Sequence, residues 1–218
     1  MGALMRYRAA TVAHGQRYLA PVLLFGIALC VLTINDQGPL TGSYGVAAGS
    51  LLLTTCWLTT TILNLEDPAR RAVSAVAAGG SGRVLSAELL LALSSGVVLA
   101  AVGLVFPIVA GHHVWSGVDV VAGAVAELTA VLTGTAVGVT TSRLVLPRPG
   151  FSLLTALIVV IVLLVAPDLP PVHSTLATLS GSDDARDQLV PLGRDLLIAA
   201  VVFAFRVAGT RAVAIRRD

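Results

Sequence analysis

Glu127 is the one acidic residue near the middle of a long apolar run. Charge in such surroundings is expensive, and it usually faces a helix-bundle interior or a watery cavity, which makes Glu127 the first candidate for chemistry. Glu127, Gly134 and Gly138 stand four, eleven and fifteen residues after Gly123. That spacing places all four on one helix face, and Gly134 with Gly138 forms a small-xxx-small pair suited to close helix contact. Glu127 is therefore expected to point into a helix interface, either tying two helices together or touching a substrate. The packing glycines favour the tie, with Gln tolerated there and Leu costly.

Glu88 lies about one and a half turns inside another apolar run, close enough to its end to snorkel or to pair with a surface arginine. Threonines crowd two runs: Thr54, Thr55, Thr59, Thr60 and Thr61 in one, Thr129, Thr133, Thr135, Thr140 and Thr141 in the other. They can bond the carbonyl four residues back or line a polar path, and helix glue is the simpler reading. Glu127, Thr59, Thr133 and Glu88 are the intramembrane polar or substrate-pathway candidates.

No catalytic or metal constellation is expected. His112 and His113 have Asp119 nearby and His173 lies far along the chain, whereas a metal needs three or four convergent ligands. Gly79, Gly80 and Gly82 lack the Gly-Lys-Ser/Thr ending of a phosphate-binding loop, and neither G-x-S-x-G nor H-E-x-x-H occurs. Cys30 and Cys56 fall inside apolar runs, where a thiol acts as a small hydrophobe.

The elements that hold these residues are six apolar segments, roughly 18–34, 44–65, 84–110, 118–141, 151–166 and 189–208. Hydrophobic residues make up 56% of the 218 and charged residues 12%, too little polar surface for a water-soluble domain. A spanning helix needs about 20 mostly apolar residues, so six spans leave room for a single transmembrane domain over 1–218. The first run lacks a small-residue cleavage site and is expected to stay in the protein.

Arginine sets the orientation. Arg6, Arg8 and Arg17 precede the first run, and Arg70, Arg71 and Arg83 lie between the second and third. Arg143 and Arg148 lie between the fourth and fifth, and Arg206, Arg211, Arg216 and Arg217 end the chain. Only Arg186 and Arg194 fall on the alternate side, which instead carries acids such as Asp36, Asp187 and Asp195. Both termini are therefore expected in the cytoplasm. Arginine without any lysine points to a GC-rich bacterial genome, and so to the bacterial cytoplasmic membrane.

Between the second and third runs, Asp67 can cap a helix that opens with Pro68 and stops at Gly79 and Gly80. Ala69, Ala72, Val73, Val76 and Ala77 follow helical spacing and form one apolar stripe, with Arg70, Arg71 and Ser74 off it. Glu66 with Arg70, and Asp67 with Arg71, are i, i+4 pairs in the favourable order. Residues 2–17 are expected to form a basic amphipathic helix on the cytoplasmic leaflet. The piece 172–179, preceded by Pro167, Pro170 and Pro171, is too short to span and suits a re-entrant or interfacial segment.

Taken together, the amphipathic N-terminal helix, six spans, a capped helix between spans two and three and a proline-marked segment before the last span resemble the membrane subunit of a type-2 ABC transporter, the fold shared with O-antigen exporters. The likeness covers the whole chain. It is sharpest in Glu66-Asp67-Pro68-Ala69-Arg70-Arg71 and in Gly79-Gly80-Ser81-Gly82-Arg83-Val84-Leu85, similar to that family's coupling helix and the turn into its third span.

The resemblance implies that residues 67–78 dock on a separate ATP-binding subunit through Glu66, Asp67, Pro68, Arg70, Arg71 and Ser74. It further implies that ATP and Mg are bound on that partner, and that two membrane subunits, as a homodimer or a heterodimer, face one another in the lipid bilayer. On this reading the chain is not itself an enzyme, binds no nucleic acid, and exports a small molecule, drug, peptide or lipid. The alternative is a membrane anchor or regulatory protein, or an intramembrane enzyme, acting without an ATPase.

Overall fold

The computed structural model describes residues 2–33, 38–66, 68–111, 116–142, 149–167, 170–181 and 185–215. Among them every regular element is an α-helix. In chain order these are α1 (Gly2–Gly15), α2 (Leu19–Thr33), α3 (Leu40–Leu63), α4 (Pro68–Ala78), α5 (Ser81–Ala110), α6 (Gly117–Thr141), α7 (Pro149–Val165), α8 (Val172–Ser180) and α9 (Ala185–Ile215). Helices α3, α5, α6 and α9 are long and apolar enough to cross a membrane, and the pair α1–α2, bent by 74°, supplies a fifth crossing if counted as one span. The architecture is compatible with a multi-pass membrane protein.

Two of the expected spans come out short. Helix α2 has 15 residues and α7 has 17, so at 1.5 Å per residue they measure about 22 and 26 Å, below the ~30 Å of a typical hydrocarbon core. Elsewhere the helices outrun the apolar runs. Helix α3 starts at Leu40 behind an extended Pro39, and α9 starts at Ala185, four residues ahead of the apolar run at 189–208.

Helices α3 and α6 form the centre: 67% of the apolar stretch of each is buried, against 28% for α5 and 22% for α9. Their closeness comes from glycine. A Cβ at Gly138 would stand 2.7 Å from Thr59 Cβ and 2.8 Å from the Cys56 carbonyl oxygen, and one at Gly134 would collide with Thr55 Oγ1 and the Leu52 carbonyl. Any larger residue would push the backbones apart, as small-residue contacts predict. Helices α2 and α5 pack on α3, α9 packs on α6, and α8 lies against α3, α9 and α6. The outer faces of α5 and α9 present residues such as Val98, Val109, Val201 and Phe205, a surface suited to lipid rather than water.

Local signals explain two boundaries that position the site. Helix α4 ends where the Gly80 N–H donates to the Ala75 carbonyl and the Gly79 N–H to the Val76 carbonyl, both glycines having positive φ; this is a Schellman stop. Helix α6 opens with a capping box, the Asp119 N–H donating to Ser116 Oγ and the Ser116 N–H to Asp119 Oδ2. Asp67, expected to cap α4, lies outside the described residues.

Candidate functional site

Four charged side chains from four parts of the chain meet in one buried cluster. Helix α1 brings Arg8, the chain just after α3 brings Glu66, α4 brings Arg71, and α5 brings Glu88. Arg8 Nη1 lies 2.9 Å from Glu66 Oε2 and 3.2 Å from Glu88 Oε1, near enough for charge pairing though off the line of a good hydrogen bond. Arg71 Nη2 donates to Glu88 Oε2 at 2.9 Å, and its Nη1 donates to the Leu63 carbonyl at 3.2 Å. That carbonyl belongs to the last turn of α3, where no intrahelical donor remains. Ser74 Oγ completes the cluster by donating to Glu66 Oε1 at 3.4 Å.

Arg8 and Glu88 are each 1% exposed. A buried charge is tolerated only when paired, and two arginines against two glutamates satisfy that condition. The mechanical consequence is that α1 and α4 are fastened to the ends of α3 and α5.

This geometry corrects the pairing expected from helix spacing. Glu66 turns to Arg8 rather than Arg70, and Arg71 turns to Glu88. Of the residues assigned to docking, Glu66, Arg71 and Ser74 therefore face the protein's own interior. Arg70 is exposed, while Asp67 and the Pro68 side chain lie outside the described residues. The apolar stripe faces outward instead, with Val73 71% and Val76 85% exposed.

Glu127 is fully buried in α6. It sits so close to Gly103 of α5 that a Cβ there would collide with its carboxyl group, and Gly123, one turn earlier, holds the Tyr44 ring of α3 equally tightly. The interface position matches the expectation from the glycine face. Neither carboxyl oxygen has a hydrogen-bond partner among the described residues.

The threonines divide in the same way. Thr54, Thr55, Thr60, Thr129, Thr140 and Thr141 return their hydroxyls to the carbonyl four residues back. Thr59, Thr133 and Thr135 are buried with no such partner among the described residues. Glu127, Thr59 and Thr133 thus carry polar atoms that the described fold does not use.

A measurable consequence follows for Glu127. A buried polar group without a partner lowers stability, so removing it strands nothing. Glu127→Gln and Glu127→Met are both expected to fold with a melting temperature equal to or above the parent's. Loss of about 1–3 kcal/mol in Glu127→Met, the size of one stranded buried group, would show that a partner had been left behind.

Asp195, in sequence only one of the acids on the alternate side, has a partnered place in α9. It is fully buried and accepts hydrogen bonds from Ser174 Oγ at 2.6 Å and Thr175 Oγ1 at 3.2 Å. Both hydroxyls belong to the first turn of α8, where unpaired N–H groups favour an anion. Asp195 thereby pins α8 to α9. The available signal was an acid inside the last apolar run together with a Ser-Thr pair just after a proline-marked turn.

His173 is half-buried and His112 and His113 lie outside the described residues. Among the described residues no group of three His, Cys, Asp or Glu side chains is placed to hold a metal ion. Comparison with protein-family models, with curated proteins and with solved structures finds no match.

Proposed function

We propose that this chain is the membrane subunit of an ATP-driven type-2 ABC transporter, exporting a small molecule, drug, peptide or lipid and energised by a separate ATP-binding subunit. The observation that carries this reading is the two-sidedness of α4. One side is fastened by Arg71 to Glu88 and to the last turn of α3. The other leaves Val73 and Val76 exposed. A short helix whose inner side is locked to two central helices and whose outer side is apolar can receive a push from a partner and pass it inward.

The rest of the proposal fits around that lever. With no phosphate-binding loop in the sequence, ATP and Mg belong to the partner. Six crossings require α2 and α7 to span with 15 and 17 residues, by local bilayer thinning or snorkelling at their ends. The arginine distribution supports a cytoplasmic position for α4 and both termini, arginine without lysine supports a bacterial cell, and α8, pinned by Asp195, would be the re-entrant segment before the last crossing. A second membrane subunit, identical or homologous, faces this one, and the unused polar atoms of Glu127, Thr59 and Thr133 are the candidates for contact with substrate or with that subunit.

The test is affinity purification of the tagged chain from native membranes in a mild detergent. A polypeptide carrying G-x-x-x-x-G-K-[ST] should co-purify in comparable amount. Recovery of the chain with no nucleotide-binding polypeptide would contradict the assignment.

A further inference from the structure

We propose that the groove at the bend between α1 and α2 binds an anionic phospholipid, one acyl chain lying in the groove and the phosphate meeting Arg6 and Arg17. The bend itself is built by Gln16, a non-glycine residue in the left-handed region at φ 51°, and it turns α2 away from α1 by 74°. Between the two helices and the outer side of α5 it leaves a groove of about 430 Å³, lined by Ala13, Tyr18, Val22, Leu58, Leu91 and Val98 among others.

The wall is apolar where an acyl chain would lie. Ser94 and Ser95 also line it, but their hydroxyls donate to the Leu91 carbonyl at 2.9 and 2.8 Å. On the surrounding surface Leu23 and Val98 are more than half exposed, so the groove opens onto the face that the spans offer to lipid.

Charge selects the head group. Arg6 is three residues before Ala9 and seven before Ala13, both groove-lining, so it stands on the same face of α1. Arg17 is the chain neighbour of groove-lining Tyr18, and both arginines are exposed. From Gly2 to Thr33 the sequence holds no acid at all. A second copy seated symmetrically on this groove would bring like charges together, whereas a phosphate satisfies them.

The experiment uses the full chain reconstituted in nanodiscs of equal phosphatidylglycerol and phosphatidylcholine, extracted in mild detergent and weighed by native mass spectrometry. One phosphatidylglycerol per chain should be retained in preference to phosphatidylcholine. Arg6→Gln and Arg17→Gln, both at exposed positions, should each lower that retention by roughly fivefold, the worth of one arginine near an anionic surface. Ala13→Trp, which fills the groove, should abolish it. Equal retention of the two lipids, or retention unchanged in both arginine variants, would overturn the proposal. So would a dimer of the parent that Ala13→Trp dissociates, because the groove would then belong to a second copy.

Discussion

Glu88→Leu should destabilise the protein by about 3–5 kcal/mol, the usual cost of removing one partner from a buried ion pair. The variant leaves Arg8 buried and Arg71 partly buried around the vacated position, with only Glu66 to balance them. In detergent the melting temperature should fall by on the order of 10 °C for a chain of this size. The loss should not be additive with that of Arg71→Leu. Once Glu88 is gone, Arg71 is itself an uncompensated charge, so the double variant should recover about 1 kcal/mol or more of the summed losses. A Glu88→Leu variant as stable as the parent would mean that the cluster does not fasten α1 and α4 to the central helices.

Val73→Asp with Val76→Asp should leave folding intact and, if the proposed function holds, release the ATP-binding subunit. Both residues are exposed, and surface changes of this kind ordinarily shift stability by no more than about 0.5 kcal/mol. At an interface the same two positions would lie in the apolar centre. Truncating a central contact commonly costs about 2 kcal/mol, a roughly 30-fold loss of affinity, and buried charge adds to it. Arg70→Glu should have a smaller effect, expressed mainly in association rate and salt dependence, because Arg70 stands beside the stripe rather than on it. Co-purification of the ATPase undiminished by the double change would place the contact elsewhere on the chain.

How far the fold could be read from the sequence depends on the range of each signal. The span and stop of α4 follow from residues within one turn of each other, Pro68 at its start and Gly79–Gly80 at its end. The Gly134–Gly138 contact follows from spacing along one face. Arg8 is the opposite case: as part of a basic N-terminal segment it looked like a surface charge, yet it is buried because Glu66 and Glu88, 58 and 80 residues later, are brought to it. Helix spacing rules see only partners on the same helix, so they paired Glu66 with Arg70 and missed the closer one. Asp195 was hidden for the same reason, its hydroxyl donors lying about twenty residues earlier on a different helix. Apolar composition marks six runs, but the length each helix attains is set by its caps and packing, and α2 and α7 stop at 15 and 17 residues.

The most direct measurement is site-specific photo-crosslinking from α4 in living cells, with a benzophenone amino acid replacing Val76 and, as a control on the outer face of α5, replacing Val105. The account predicts that Val76 captures a polypeptide whose sequence carries the G-x-x-x-x-G-K-[ST] phosphate-binding loop, that Val105 does not, and that Val73→Asp removes the adduct. Capture of lipid alone from Val76, or of that polypeptide equally from both positions, would contradict it.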